Sequence, residues 1–559
     1  MSLFDTHRGL LDGALTALAT RSHWSAFPEN PSPKVYGEDG QAKGQAAIAA
    51  LVGQDFVLNQ PGVRAHTATE RSPYGAPLDV RYPDCAPEAL VHAALEAEPA
   101  WQAVGPQARV GILLEALVRL NRRSHEIARA VMLTTGQGPM MAFQAGGPQA
   151  QDRALEALAY AWKAMADVPA ESLWEKPQGK GPTLRMRKHF EIVGRGVALV
   201  IGCATFPTWN TYPGLFAALA TGNPVIVKPH PNAVLPAAIT VAILREVLVE
   251  QGLPADLVTL ALCPKPSDTQ ALATHPAVAS IDFTGSNQFG HWLMDNARQA
   301  RVYAEMAGVN TVIVESTDDY AGLVKNLAFT LSLYSGQMCT TTQNLWVPKG
   351  GIATDQGHKS FEQLGQDLAA GVDALLADTR VASAVLGVVC APETLKRLDS
   401  AQSKGRTVLA SRSMPHPQFD GAALHTPAIV ALTRDDQAVF GEECFGPVSY
   451  LIAADSAADT LALAEATLRS QGALTLGVYS SDKAFIEQAI ALGRRTRVAL
   501  SINLTQGVFV NQSAAFSDYH ATGGNPAANA SYTSLAFVAD RFVVVQRRVH
   551  EAAAEGAAA

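Results

Sequence analysis

From about residue 87, apolar side chains recur every three or four positions through "APEALVHAALEAEPAWQAV", "ARVGILLEALVRLNRRSHEIARAVML" and "ALEALAYAWKAMA". That spacing lines one face of an α-helix, so the stretch reads as a layer of successive amphipathic helices. The pattern then changes. "GVALVIGC", "NPVIVKPH", "DLVTLALC" and "VASIDFTG" are short runs rich in Val and Ile, separated by stretches of helical period such as "AAITVAILREVLVEQ". Strand, helix, strand, helix predicts a parallel sheet with right-handed crossovers, whose commonest use is to bind a dinucleotide. A second alternating α/β region runs from about 306 to 500. Gly/Asn/Ala-rich loops follow over 505–533, then the apolar strand "FVVVQRRV" and an alanine-rich tail expected to be disordered. Upstream, residues 1 to about 70 hold two alanine-rich helical stretches, near 5–22 and 42–53, on either side of the proline-rich "FPENPSPKVYG". No candidate chemistry falls there.

Composition narrows the picture mainly by exclusion. A chain of 559 residues exceeds what one hydrophobic core usually supports and points to two or three domains. Hydrophobic residues at 48% and charged residues at 17% suit a packed protein, not a disordered one. The formal net charge of −8 argues against non-specific nucleic-acid binding. No apolar run approaches a membrane span, and Asp5 and Asp12 break up the first residues, so neither a membrane segment nor a signal or transit peptide is read. The six cysteines (85, 203, 263, 339, 390, 444) lie far apart without paired or metal-ligand spacing. Neither a disulfide scaffold nor a metal site is expected, and the cytoplasm, where thiols stay reduced, is the expected location. The basic "KPQGKGPTLRMRKH", residues 176–189, reads as a solvated hairpin or subunit contact, or else as a clamp for an anionic substrate.

Short stretches that could carry chemistry each admit two readings. In "YSGQMCTTTQNLWV", Cys339 is one more small buried hydrophobe or a nucleophile. "FTGSNQFG" sets Gly285 and Gly290 around a strand-to-helix turn, an ordinary turn or a place where backbone N–H groups hold a phosphate. "GNPVIVKPHP" ends a strand on Lys228, which is either solvated or placed at the C-terminal edge where open α/β sheets bind ligands. Glu305 in "YAEMAG" is simply exposed or is a general base held in a cleft. Asn210 in "FPTWNTYP" is a turn former or a donor to a developing oxyanion. "EECFGPV" is a turn leading into a strand, or a further ligand contact.

Taken in order, "TFPTWNTYP", "GNPVIVKPHP", "DFTGSNQFG", "YAEMAG", "YSGQMC" and "EECFGPV" resemble the motif series of the NAD(P)-dependent aldehyde dehydrogenase superfamily over about residues 70–550. The 34 residues from Glu305 to Cys339 are similar to that family's spacing of base and nucleophile. The resemblance implies an α/β fold with a Rossmann-type NAD(P)-binding domain (71–175 and 198–305) and an α/β catalytic domain (306–505). A small oligomerisation element (176–197 and 530–550) and an N-terminal helical extension (1–70) complete it. It also implies that Cys339 attacks an aldehyde carbon, that Asn210 and the Cys339 backbone N–H receive the oxyanion, and that hydride passes to the nicotinamide. Glu305 then activates the water that hydrolyses the thioester. A thiol of pKa about 8.5 is only a few per cent ionised at pH 7, so such a site has to lower that pKa or supply a base. For the cofactor, the resemblance assigns Lys228 to the adenosine ribose, Gly285, Ser286 and Gly290 to the diphosphate turn, Glu443 to the nicotinamide ribose and Phe445 to the nicotinamide ring. A homodimer or homotetramer is implied as well. The other five cysteines sit in no matching motif and read as structural.

The N-terminal extension, "YSGQMCTTTQ" and "AAFSDYHATGGN" are most similar to the aldehyde dehydrogenases of bacterial phenylacetate degradation, which act on a ring-opened, CoA-linked semialdehyde. A CoA-acylating dehydrogenase and a general aldehyde-detoxifying enzyme are the alternatives, and Glu305 speaks against the first because such relatives often lack it. Three positions depart from the family pattern. NAD-specific members commonly carry a carboxylate three residues after the lysine, where this chain has Pro231 preceded by His230, so NADP is the expected cofactor with NAD as the alternative. Asn287 stands where Thr is usual, a swap expected to be harmless. Ala307, Gly308 and Val309 replace Gly-Gly-Lys and are expected to alter the packing beneath the base.

Overall fold

The computed structural model describes residues 1–510 and 515–551; the tail expected to be disordered lies outside them apart from its first residue. Pro87–Val104, Pro106–Arg122, Ser124–Thr135, Pro139–Gly146 and Pro148–Ala166 form the helical layer. Four of these five helices begin with proline at the first position, where its missing N–H costs nothing. Pro87–Val104 packs on one face of a five-stranded sheet, and the other four pack on the helices Pro207–Ala220 and Leu235–Glu250; the sheet's strand order is Val258–Leu260, Val225–Lys228, Val197–Ile201, Val278–Thr284, Arg301–Glu305. Every pairing in it is parallel. All C-terminal strand ends therefore lie along one edge, which gathers Ile201, Lys228, Thr284 and Glu305 from positions spread over a hundred residues of sequence. The central strand is buried at every position, as an apolar run sandwiched between helices must be.

The second α/β region forms a seven-stranded sheet in the order Arg406–Leu409, Ala428–Thr433, Val448–Ala454, Asn344–Pro348, Thr311–Val314, Thr475–Tyr479, Ala499–Ile502. Only the edge strand Arg406–Leu409 is antiparallel. A third sheet, of three antiparallel strands, joins Glu171–Gln178, Gly181–Gly194 and Phe542–His550. The basic stretch lies in its hairpin, and Val543, Val544, Val545 and Val549 are exposed on its last strand.

One buried charge pair holds these parts together. Asp282 sits inside the apolar run of the strand Val278–Thr284, and the Arg541 guanidinium donates to both its oxygens at 2.8 and 2.6 Å. Arg541 also donates to the Phe537 carbonyl at 3.0 Å and stacks over Tyr303 and Phe537. The N-terminal extension is helical over Leu3–Thr6, Arg8–Thr20, Pro33–Tyr36 and Gly40–Leu51, and it adds a strand, Val63–Thr67, paired with Tyr82–Cys85. It does more than the apolar pattern indicates. Trp24 packs edge-on against Phe516 with ring centroids 4.8 Å apart, and Arg21 donates to the Phe516 carbonyl at 3.0 Å and lies over the Tyr519 ring.

Candidate active site

The chain enters the Cys339 loop through a conformation that side chains resist. Tyr334, Ser335 and Gly336 have φ of 52°, 49° and 66°, and each non-glycine residue held in that left-handed region costs about 1 kcal/mol or more. Several contacts impose it. The Tyr334 hydroxyl donates to the Thr135 carbonyl at 2.5 Å, and the Ser335 hydroxyl reaches the Gly387 and His425 carbonyls, both at 3.0 Å. Gly336 lies so close to the Gly446 carbonyl that a Cβ would collide with it, which brings the loop holding Glu443 and Phe445 against the loop holding Cys339. Beyond the turn, Asn310 Nδ2 donates to the carbonyls of Cys339 and Thr341 at 2.7 and 3.1 Å. Its Oδ1 accepts the N–H groups of Leu474 and Thr475 at 3.0 and 3.1 Å. Asn310 thus ties the loop to the seven-stranded sheet.

Cys339, Glu305 and Asn210, from three separate elements, meet in one cluster, and His520 completes it. Glu305 ends its strand only 1% exposed. Its Oε2 accepts from Asn210 Nδ2 at 3.3 Å and from His520 Nε2 at 3.1 Å, while Oε1 has no hydrogen-bond partner among the described residues. The Cys339 sulfur, a ring nitrogen of His520 and a carboxylate oxygen of Glu305 all lie within 4.8 Å of one another. Donors of these kinds also ligate metals, but a tetrahedral zinc needs ligand atoms about 3.5 Å apart, so the cluster would have to tighten around one. Asn210 stands in the first turn of the helix Pro207–Ala220, and its Oδ1 accepts from the Cys203 thiol at 3.5 Å. An amide NH2 has two donors, so Asn210 keeps one beyond its bond to Glu305.

Trp209 organises the second layer. The Arg153 guanidinium lies 3.7 Å from the centre of its ring, and His520 meets it edge-on at 4.6 Å. Arg153 is fully buried, and its Nε and Nη1 have no partner among the described residues. These charges set the protonation states. Burial pushes the Glu305 carboxyl up, but His520, the neighbouring Cys339 thiol and Arg153 together outweigh it and leave the group below the usual carboxylate value. Burial and the facing Glu305 carboxylate push the Cys339 thiol well up. The resting pair is a neutral thiol beside an anionic carboxylate. Cys203 is likewise raised, to about 11, chiefly by burial, and stays a thiol. A cavity of about 1430 Å³ opens onto this cluster, walled by Met140, Phe206, Trp209, Leu333 and Phe509. Its lining mixes these apolar side chains with polar and charged ones, among them Gln144, Arg153, Asp518 and His520, as in a small-molecule pocket.

The remaining candidates occupy the C-terminal edge of the five-stranded sheet or the loop beside Cys339. Lys228 is 8% exposed at its strand end, and its ammonium makes no hydrogen bond or ion pair among the described residues. Ser286 caps the helix Asn287–Asn296, accepting from the Phe289 N–H at 3.4 Å. A Cβ on Gly285 would strike the Phe283 ring and one on Gly290 would strike Met306, so both glycines are required by close packing. Asn287 Oδ1 is buried without a partner among the described residues, so the Thr-to-Asn difference leaves a polar atom unsatisfied. Glu443 is pushed to about 7 by burial, with Arg397 pulling the other way. A buried ammonium, a helix N-terminus behind two tight glycines and a half-buried carboxyl suit a ligand with phosphates and sugar hydroxyls. Beneath the base, Val309 is fully buried and donates its N–H to the Gly472 carbonyl at 2.9 Å.

His520, Arg153 and Asn310 escape sequence reasoning. His520 lies inside the "AAFSDYHATGGN" stretch and Arg153 on a polar position of an amphipathic helix. Only the fold shows what they face.

Comparison with known proteins agrees with this geometry. Residues 84–535 match the family model described as "Aldehyde dehydrogenase family". The chain is 30% identical over 374 residues to N-succinylglutamate 5-semialdehyde dehydrogenase of Chromobacterium violaceum, covering 65% of this chain and 71% of that protein. It is 26% identical over 392 residues to 2-aminomuconic 6-semialdehyde dehydrogenase of a Pseudomonas species, covering 67% and 74%. Among solved structures, an NAD-dependent aldehyde dehydrogenase from Burkholderia multivorans superposes with a TM-score of 0.97 at 53% identity, over 99% of this chain and all of that one. Thermus thermophilus 1-pyrroline-5-carboxylate dehydrogenase shares the fold at 20% identity, with a TM-score of 0.73 over 95% of this chain.

Proposed function

The chain belongs to the aldehyde dehydrogenase family, and on that premise we propose that it oxidises a semialdehyde to a carboxylic acid at Cys339, with Glu305 and Asn210 as partners. The observation that carries this reading is the convergence of those three side chains from separate elements at the mouth of one cavity. Glu305, an anion beside a neutral thiol, accepts the Cys339 proton as the sulfur attacks the aldehyde carbon. The second N–H of Asn210 and the Cys339 backbone N–H serve the oxyanion. NAD or NADP, when bound, supplies the hydride acceptor that turns the thiohemiacetal into a thioester. Lys228, Ser286 with Gly285 and Gly290, and Glu443 with Phe445 are the residues placed to hold it. Once Glu305 has released the thiol proton to solvent and is again a carboxylate, it takes a proton from the water that hydrolyses the thioester, which favours hydrolysis over transfer to free CoA.

NADP is the favoured cofactor in this reading. Pro231 leaves no carboxylate three residues beyond Lys228, and Glu70, whose neighbour Thr69 donates to the Pro231 carbonyl, is occupied by the N–H groups of Val234 and Leu235 and the Tyr82 hydroxyl. His230 adds no positive charge, since burial and Lys228 push it down to about 4. The Burkholderia multivorans relative carries NAD-dependence in its name, so both cofactors belong in the test. The Chromobacterium and Pseudomonas relatives are named for semialdehydes, and the narrower substrate proposed is the ring-opened, CoA-linked semialdehyde of phenylacetate degradation, in the cytoplasm. We further read 71–175 and 198–305 as the cofactor domain, 306–505 as the catalytic domain, and the three-stranded sheet, with its exposed valines, as the contact of a homodimer or homotetramer. The test is a screen of semialdehydes, CoA-linked ones included, against NAD and NADP, following reduced cofactor. Turnover confined to simple aldehydes would remove the narrower substrate, and no turnover with any aldehyde would remove the reading.

A further inference from the structure

We propose that His520 is the positioning residue of the base Glu305: its Nε2–H occupies Oε2, so that Oε1 is left as the one basic atom and the carboxylate is held still for both halves of the reaction. The inference rests on the proposed use of Glu305 as the base. Three observations carry it. The His520 bond to Oε2 is 3.1 Å, whereas Oε1 is buried and accepts no hydrogen bond among the described residues. The imidazole is itself fixed, edge-on against Trp209 at 4.6 Å, with the His520 backbone N–H donating to the Thr533 hydroxyl at 3.0 Å. The loop that carries it is pinned from outside by Arg21 and Trp24, which grip Phe516. A histidine placed only to line the cavity would not need to be held from three sides.

The role has a definite chemical content. In hydrolysis, Oε1 takes a proton from water as the water oxygen bonds to the thioester carbon. The C–S bond then breaks with its electron pair on the Cys339 sulfur, and the protonated Glu305 returns the proton to that sulfur. Acid and free thiol result, with the carboxylate restored. A carboxylate free to rotate would exchange its two oxygens, so that Oε1 could take the Asn210 bond that Oε2 now accepts and be lost to water. The groups that act on Glu305 here are His520, Cys339, Asn210, Arg153 from the helix Pro148–Ala166, Cys203 from the loop after Val197–Ile201, and Tyr532 beyond them. Of these, only His520 and Arg153 favour the anion by charge.

The experiment compares His520→Leu and His520→Gln with the wild type in rapid-mixing and steady-state assays, using the best aldehyde from the screen. His520→Leu is expected to keep a burst of reduced cofactor while kcat falls about ten- to a hundredfold, with acyl adduct accumulating on Cys339 by mass spectrometry. The acidic limb of its kcat profile should move to higher pH, because burial then acts on Glu305 unopposed by His520. His520→Gln, which retains an N–H for Oε2, should recover most of kcat. The proposal is overturned if His520→Leu raises KM and leaves kcat and the acidic limb in place, or if Gln rescues nothing in a protein of unchanged thermal midpoint. A wild type that shows no aldehyde-dependent reduction, or keeps full turnover as Glu305→Gln, overturns the proposed function first and this inference with it.

Discussion

Arg541 and Arg153 are both fully buried cations stacked on aromatic rings, and there the likeness ends. Arg541 spends its donors on both oxygens of Asp282 and on a carbonyl, whereas Arg153 has Nε and Nη1 unmatched above Trp209. Oε1 of Glu305 shares the second condition. Burying a charge is costly unless it is paired, so the fold's ability to pair one beneath the sheet makes the unpaired ones at its edge informative. At Asp282 and Arg541 the buried charges are satisfied and belong to the scaffold; around Cys339 they are left open towards the cavity, although Arg109 shows that an unmatched buried donor also occurs in the scaffold.

The sharpest way to break that contrast is Cys339→Ala, which should cost several orders of magnitude in turnover while leaving the thermal midpoint and cofactor binding in place. A comparable loss of stability would put Cys339 on the scaffold side. Glu305→Gln comes next: steady-state turnover should fall about a hundred- to ten-thousandfold, with a burst of reduced cofactor preceding it and an acyl adduct on Cys339. Full turnover would show that an unpaired Oε1 means nothing. On the scaffold side, Asp282→Ala strands Arg541 without its partner and should cost about 3–5 kcal/mol of stability by denaturant titration, with kcat per folded molecule unchanged. A variant that is stable but inactive would reverse the assignment. The smallest effect is expected from Pro231→Glu, which sets a charge near Lys228 and should weaken NADP by on the order of 1–3 kcal/mol in kcat/KM, and NAD less. Equal loss for both cofactors would place Lys228 away from the ribose.

How much of this could be read in the sequence follows from what periodicity encodes. The helical layer and the parallel sheet are legible because 3.6- and 2-residue periods, or unbroken apolar runs, state directly which faces are buried. Cys339, Glu305 and Asn210 are each ambiguous alone and become legible by their order. Arg153 is hidden because the pattern of its helix marks it as polar without saying that its face turns inward to Trp209. Asp282 is hidden for the converse reason, a single carboxylate inside an apolar run whose partner lies 259 residues later. His520 and Asn310 act through hydrogen bonds between distant loops, which no local pattern reports. The first seventy residues read as chemically silent, yet Arg21 and Trp24 reach the loop that carries His520, because an exposed arginine and a packed one look the same in sequence.

That clasp of Trp24 on Phe516 also orders the life of the protein on the ribosome. A residue made among the first thirty waits for one made after five hundred, and Glu305 waits 215 residues for His520. The nascent chain therefore displays its thiol before the imidazole, Phe509 of the cavity wall and the Arg541 tie exist. Such long-range closure is slow because loop entropy is lost before the contacts repay it. The half-made chain holds Cys339 without its finished surroundings, and the completed site arrives only when early and late segments close on each other.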